Sequence, residues 1–204
     1  YITLETDDIC ILSRDNDKIS VTTTGTYATT DVTAPTTAPS PAPFAHWTLK
    51  EIHEQPSTIL NNINMGGRLL NDHEVKLGGL ESMSAELRTA RHVILLGCGS
   101  SYNAALYGAA FMKQLCNFVT VQAIDGSELQ PSDLPKTHER IAVILISQSG
   151  ETKDLHRCLA LLRNTTTLTI GIVNVVDSLI ARDVDCGVYC NSGTEVGVAS
   201  TKSF

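Results

Sequence analysis

The sequence predicts an α/β protein: a doubly wound, five-stranded parallel sheet of order 2-1-3-4-5, preceded by a short β hairpin and a linker. Three observations lead there. From residue 92 onward, short apolar runs alternate with helical periods, the succession that right-handed βαβ crossovers produce. The runs at 92–97 (His-Val-Ile-Leu-Leu-Gly) and 141–147 (Ile-Ala-Val-Ile-Leu-Ile-Ser) are apolar at almost every position, as burial on both sheet faces demands. Both runs end in turns rich in glycine, serine and threonine, at 97–101 and 147–152.

Taken in order, residues 1–20 alternate in the manner of a hairpin. Tyr1-Ile2-Thr3-Leu4 and Ile9-Cys10-Ile11-Leu12 read as strand, 13–17 as a turn, and Lys18-Ile19-Ser20-Val21 as strand again. Two or three short strands do not stand alone, so the segment reads as the tail of a preceding domain or the partner of something outside the sequence. Residues 22–43 are rich in Thr, Ala and Pro, with one charge at Asp31. Repeated proline blocks both helix and ladder, which predicts an extended linker. Between 44 and 65, Trp47, Leu49, Ile52, Ile59, Leu60 and Ile63 are interleaved with Lys50, Glu51, Glu54 and Gln55. Pro56 predicts one helix ending near Gln55 and a second beginning at the proline. Residues 77–90 continue helically. Beyond them, strands are expected at 92–97, 118–123, 141–147, 167–173 and 185–190. Helices are expected at 102–116, 126–130, 151–164 and 177–183.

Composition narrows the function classes. The chain has 204 residues, 42% hydrophobic and 18% charged, enough apolar side chain for a core and too much for global disorder. A net charge of -7 without a basic cluster argues against nucleic acid as a partner. Apolar stretches reach only about six residues, far short of the ~20 that cross a bilayer, so no membrane partner is expected. Six cysteines show no Cys-x-x-Cys pair. Cys186 and Cys190 lie roughly 13 Å apart along a strand, too far for a disulfide. They read as buried, reduced thiols of a cytoplasmic protein. His46 and His53 share a helix face without a third ligand nearby, and neither a metal nor a cofactor is expected.

Chemistry concentrates at the two turns. Gly97-Cys98-Gly99-Ser100-Ser101 opens one helix, and Ser147-Gln148-Ser149-Gly150-Glu151-Thr152 opens another. Helix N-termini carry unpartnered N–H groups and a positive dipole end, so they attract anions. Ser147, Gln148, Ser149 and Thr152 add donors without any lysine. Helix capping by Ser149 or Thr152, and a glycine turn at Gly99, would account for either turn alone. In flavodoxin-like order, however, the first and third strands are neighbours whose connections diverge, and the crevice between them is the ligand site. The first turn lacks the third glycine and the acidic residue of a dinucleotide fingerprint, and there is no Gly-Lys-Ser/Thr loop. A small phosphorylated ligand fits better than a nucleotide. A third segment, 191–202, follows the last strand and is also rich in glycine and hydroxyls. Within it, Lys202 reads as a solvated lysine or a phosphate or Schiff-base partner, and Glu195 as a structural contact or a base. Glu151 is expected ionised in the first turn of its helix.

Gly-Cys-Gly-Ser-Ser-Tyr (97–102), Ile-Ser-Gln-Ser-Gly-Glu-Thr (146–152), Gly-Ile-Val-Asn-Val-Val (171–176) and Glu-Val-Gly-Val-Ala-Ser-Thr-Lys (195–202) together resemble the glutamine:fructose-6-phosphate amidotransferase family (glucosamine-6-phosphate synthases). The stretch His-Trp-Thr-Leu-Lys-Glu-Ile-His-Glu-Gln-Pro (46–56) is similar to the helix opening that family's isomerase half. The match spans about 44–204. The stretch 147–152 alone would indicate only a sugar isomerase (SIS) domain. The resemblance implies a glutaminase domain with a cysteine at its first residue, then two SIS domains. On it, 1–21 look like the end of the glutaminase domain, 22–43 like the linker, and 44–204 like the first SIS domain.

The resemblance further implies that Ser147, Gln148, Ser149 and Thr152 hold the phosphate of fructose 6-phosphate. Ser100 and Ser101 would lie at the sugar, Ser101 on its hydroxyls, and Val198 would contribute its backbone. The family usually has threonine where Ser100 stands, which keeps the hydroxyl. Family SIS domains pair through helices, and the apolar face of 47–65 makes a homodimer the expectation. The glutaminase nucleophile and the second SIS domain, with its Glu, His and Lys, are not among these residues, so this chain alone is expected to have no catalytic residues and no activity. Two readings stay open: a fragment of the aminotransferase, acting in glucosamine 6-phosphate and UDP-N-acetylglucosamine synthesis, or a stand-alone, non-catalytic SIS module.

Overall fold

A computed structural model describes residues 2, 4, 7–16, 18–27 and 39–204. The chain divides into two units between residues 40 and 41. In the first, β1 (Cys10–Asp15) pairs antiparallel with β2 (Lys18–Thr23), in register from Cys10↔Thr23 to Asp15↔Lys18. Strand therefore replaces part of the turn expected at 13–17, and only 16 and 17 separate the two strands. Asn16 takes a positive φ of 42°, which its short polar side chain tolerates. Ile11, Leu12, Ile19 and Val21 are all exposed. β2 runs into the start of the expected linker. Residues 28–38 of that linker, and 1 and 3 of the expected first strand, lie outside the described residues.

The second unit is built on a five-stranded, wholly parallel sheet, order β6-β5-β7-β8-β9. Its strands are β5 (Ala90–Gly97), β6 (Thr120–Asp125), β7 (Arg140–Ser147), β8 (Leu168–Val173) and β9 (Cys186–Tyr189). This is the expected order and fold class. Side chains alternate between faces along each strand, giving two core layers. Val93, Leu95, Ala142, Ile144 and Ile170 point to one layer, where α3 (Ser100–Leu115) supplies Ala105 and Ala109. Small residues bring this helix close: a Cβ on Gly108 would sit 3.3 Å from Leu95 Cδ2. Ile94, Leu96, Val143 and Leu145 fill the other layer. There α4 (Lys153–Leu162) buries Leu155, Cys158, Leu159 and Leu162, the i, i+3, i+4, i+7 stripe of an amphipathic helix. The short α5 (Leu179–Asp183) adds Ile180.

Several expectations need correction. The two helices expected around Pro56 are one continuous helix, α1 (Trp47–Asn62), with Pro56 inside it. Pro56 and Ile52 are exposed, so the carbonyl that loses its helical donor faces water and the cost of the break falls. After α1, a small hairpin of β3 (Leu69–Asn71) and β4 (Glu74–Val75) occupies a stretch the periodicity left unassigned. The helix at 77–90 is a 3₁₀ turn, Gly78–Met83, followed by α2 (Ser84–Thr89). No helix forms at 126–130; β6 extends to Asp125, whose carboxylate accepts from Ser127 N at 2.9 Å and Ser127 Oγ at 2.8 Å, and this fixes a turn. A 3₁₀ turn follows at Pro131–Asp133. Of the cysteines, only Cys158 and Cys186 are buried, and Cys116 is exposed just past the end of α3. All six are free.

The largest departure concerns the faces of α1. Glu51 is buried, at 2% exposure, together with Thr58, whereas Leu49, Ile52, Ile59 and Leu60 are exposed. The helix docks by its polar side and turns its apolar side outward.

Leu155 is fully buried at the centre of the α4 layer. Leu155→Ala is expected to cost about 2–5 kcal/mol. The check is the urea midpoint of the second unit, which should fall at an unchanged m-value.

Candidate functional site

β5 and β7 lie side by side, and the helices that follow them, α3 and α4, cover opposite faces of the sheet. The crevice this leaves at their carboxyl ends is the usual ligand position of such folds. Two turns form its floor. In the first, Gly99 has φ 61° and ψ −128° immediately before α3, a conformation that L side chains rarely adopt. A Cβ on Gly97 would lie 2.5 Å from the backbone carbon of Ser101, so only glycine lets the chain fold back this tightly. Ser100 and Ser101 thereby become the first residues of the helix.

The second turn is held by its own hydroxyls. Ser147 Oγ lies 2.8 Å from Thr152 Oγ1 and accepts from Gly150 N at 3.0 Å, while Ser149 Oγ accepts from Glu151 N at 3.1 Å. Gly150 has φ 67°, and a Cβ there would stand 1.9 Å from Ser178 Oγ. The carbonyls of Gln148 and Gly150 accept from Asn174 N and Ile180 N at 3.2 and 3.0 Å. The turn is thus tied to the β8–α5 connection. Glu151 precedes α4 instead of lying in its first turn, and its Oε1 accepts from Leu179 N at 2.9 Å. It serves the N-terminus of α5 and does not line the crevice.

The segment after β9 closes the third side. Ser192 N donates to Asn174 Oδ1, and Asn174 Nδ2 donates to the Gly193 carbonyl, each at 2.7 Å. Further along, Glu195 accepts from Thr201 N at 2.6 Å, Ser200 Oγ at 2.7 Å and Lys202 N at 3.0 Å. Burial is the largest single influence on this carboxyl and raises its pKa. The donors at Thr201, Ser200, Lys202 and Ser203 outweigh it and hold the group below the ordinary glutamate range. Glu195 therefore folds its own loop. Lys202 is not a solvated lysine: its side chain is 6% exposed, and Nζ donates to Glu54 Oε2 at 2.7 Å.

Ser100, Ser101, Ser147, Gln148, Ser149, Thr152 and Val198 all line one open cleft of about 280 Å³. Its remaining wall is Cys98, Gly99, Ala199 and Ser200, none of which had been singled out, although all lie within the motifs. The volume is just below the ~300 Å³ at which pockets for drug-sized ligands begin, a fit for a small polar molecule. Hydroxyls, a carboxamide and helix-start N–H groups give the lining hydrogen-bond donors without a cation, the chemistry that suits an anion. Burial, reinforced by the Asp125 carboxylate, pushes the Cys98 thiol up, which favours the neutral thiol over the thiolate. A second cavity of about 290 Å³, apolar along Leu95, Met112, Ile144 and Ile172, adjoins the cleft through Ser101, Ser147, Gln148 and Ser200. Among the described residues, no group of three His, Cys, Asp or Glu is placed to hold a metal, and no helix is long and apolar enough to cross a membrane.

The model of a family described as the SIS domain matches residues 86–204. A probable glutamine–fructose-6-phosphate aminotransferase (isomerizing) of Acanthamoeba polyphaga mimivirus is 36% identical over 204 residues, all of this chain and 33% of that protein. The glutamine–fructose-6-phosphate aminotransferase (isomerizing) 1 of Arabidopsis thaliana is 40% identical over 166 residues, 79% of this chain and 24% of that one. Among solved structures, the C-terminal domain of glucosamine-fructose-6-phosphate aminotransferase from Francisella tularensis aligns with a TM-score of 0.71 and 30% identity, over 82% of this chain and 45% of that chain. The chain spans between about a quarter and a third of the length of these curated relatives.

The depressed Glu195 carboxyl gives the 195–202 loop a definite acid response. A carboxyl whose pKa is lowered on folding contributes stability that is present above its unfolded value and lost as pH falls through the folded one. The amide resonances of Thr201 and Lys202 should therefore titrate with a midpoint below the ordinary glutamate range. In Glu195→Gln that titration should vanish; a midpoint at or above the ordinary range would contradict the assignment.

Proposed function

The chain belongs to the SIS domain family, and from that premise we propose that it is the fructose 6-phosphate-binding part of a glutamine:fructose-6-phosphate aminotransferase (isomerizing). The intact protein then makes glucosamine 6-phosphate from fructose 6-phosphate and glutamine, on the route to UDP-N-acetylglucosamine. The observation that carries this reading is the convergence of three separate segments on one cleft at the strand-order reversal. In it, the hydroxyls of Ser147, Ser149 and Thr152, the Gln148 side chain and the N–H groups opening α4 hold the phosphate. Ser100 and Ser101 face the sugar, Ser101 bonding its hydroxyls, and Val198 meets it through the backbone.

Residues 1–21 are, on this reading, the end of a glutaminase domain, 22–43 the linker and 44–204 the first SIS domain. The mimivirus relative aligns with the whole chain, hairpin and linker included, which favours a fragment of the aminotransferase over a stand-alone sugar-phosphate-binding module. The exposed apolar stripe of α1 is the surface by which two copies pair. Six free cysteines suit the reducing cytoplasm.

Proton transfer between sugar carbons needs a carboxylate, His or similar base at the substrate. Among the described residues that line the cleft there is none, and Glu151 and Glu195 are both committed elsewhere. We therefore expect the chain alone to bind without turnover.

Ser149→Ala should weaken fructose 6-phosphate binding by roughly 1–3 kcal/mol, read by titration calorimetry; an unaltered affinity would remove the phosphate from this turn. The unsubstituted chain, given fructose 6-phosphate with ammonia or with glutamine, should yield no glucosamine 6-phosphate. Product in either mixture, abolished by Glu195→Gln, would place a catalytic base in this domain.

A further inference from the structure

The two ends of the cleft hang on different supports. The phosphate turn, 147–152, is fastened to the β8–α5 connection through Asn174, Leu179 and Ile180. The opposite wall, the loop 195–202, is fastened to α1. Glu51 Oε1 accepts from Val196 N at 2.6 Å and Gly197 N at 3.1 Å, and Oε2 accepts from Gly197 N at 3.2 Å. A Cβ on Gly197 would stand 2.5 Å from Oε2, so a side chain there would have to displace the carboxylate. Past the wall, Gln55 Nε2 donates to the Thr201 carbonyl at 2.8 Å, and Lys202 Nζ donates to Glu54. Between these anchors Val198 is fully exposed, and its own side chain does nothing to hold it in place.

We propose that α1 is a clamp for the sugar-facing wall of the cleft, with Glu51 as the positioning residue that fixes the Val198 backbone opposite Ser100 and Ser101. The ligand part of this inference rests on the fructose 6-phosphate reading; the mechanical part, Glu51 holding the loop, does not. A carboxylate in a buried position binds backbone N–H groups more strongly than a neutral acceptor does, because the bonds are charge-assisted and poorly screened. One side chain with two oxygens thus immobilises consecutive peptide units next to the residue that meets the sugar. Glu54 and Lys202 secure the far end of the loop in the same manner.

The test uses the full chain with Glu51→Ala, Glu51→Gln and Lys202→Met, and two probes, fructose 6-phosphate and inorganic phosphate. In Glu51→Ala, hydrogen exchange at Val196 and Gly197 should accelerate at least about tenfold, and fructose 6-phosphate affinity should fall about tenfold. Inorganic phosphate, which needs only the 147–152 turn, should bind within about twofold of the unsubstituted chain. Glu51→Gln keeps one acceptor oxygen but not the charge and should recover only part of the loss. Lys202→Met leaves Glu51 in place and guards against a Glu51→Ala chain that fails to fold; it should loosen the loop's far end and shift the fructose 6-phosphate affinity in the same direction. Unchanged exchange at Val196 and Gly197 overturns the clamp. Unchanged fructose 6-phosphate affinity with a loosened loop, or an equal loss for both probes, overturns the positioning role. An unsubstituted chain that binds neither probe overturns the phosphosugar reading and the positioning role that rests on it, while the exchange rates still decide whether Glu51 clamps the loop.

Discussion

The parallel pairing of β5 with β7 is the constraint on which the molecule turns. Because these neighbours feed helices to opposite faces of the sheet, no connection crosses the top of the strands between them. The gap is a product of topology and exists before any side chain is chosen. Everything chemically distinctive is arranged about that gap: the glycines at 97 and 99 that let α3 begin immediately, the hydroxyl turn ahead of α4, and the returning loop after β9. The two core layers serve this arrangement by holding both helices rigidly against strands buried on each face.

A second organising fact is that α1 is oriented against the usual rule for a surface helix. Apolar residues normally face the core, yet here Glu51 is inside and Ile52, Ile59 and Leu60 are outside. The inversion follows from what the helix packs against. The loop 195–202 contributes unpaired backbone N–H groups, a carbonyl and a lysine head, and such groups are costly to bury without partners. A row of carboxylates and a carboxamide satisfies them where leucines would leave them bare.

That inversion also marks where the sequence could be read and where it could not. The strands of the sheet, their order and the two helix-start turns were legible, because burial on both faces leaves unbroken apolar runs and because glycine next to hydroxyls has few other uses. The site residues at 100–101, 147–149, 152 and 198 could be named from those turns and the family pattern, and they do line one cleft. The burial of Glu51 was not foreseen, and Lys202, read as solvated or as a phosphate or Schiff-base partner, is instead paired with Glu54. Their partners lie 145 and 148 residues away along the chain, and no local periodicity reports a contact of that span. Pro56 was read as a helix break by a rule that holds for a buried backbone and relaxes for an exposed one. The expected helix at 126–130 was lost to Asp125, whose bonds to Ser127 offer the backbone a competing turn.

The cleft is lined by hydroxyls, an amide group and peptide N–H, with no lysine or arginine. A cationic receptor carries a self-energy when empty, since a desolvated positive charge is costly until its counter-ion arrives. A receptor made of dipoles has no such cost: its donors are satisfied by one another, as Ser147 is by Thr152 and Gly150, or by water. The empty cleft therefore needs no counter-ion to be stable, while any occupant still adds its binding free energy to the stability of the folded chain.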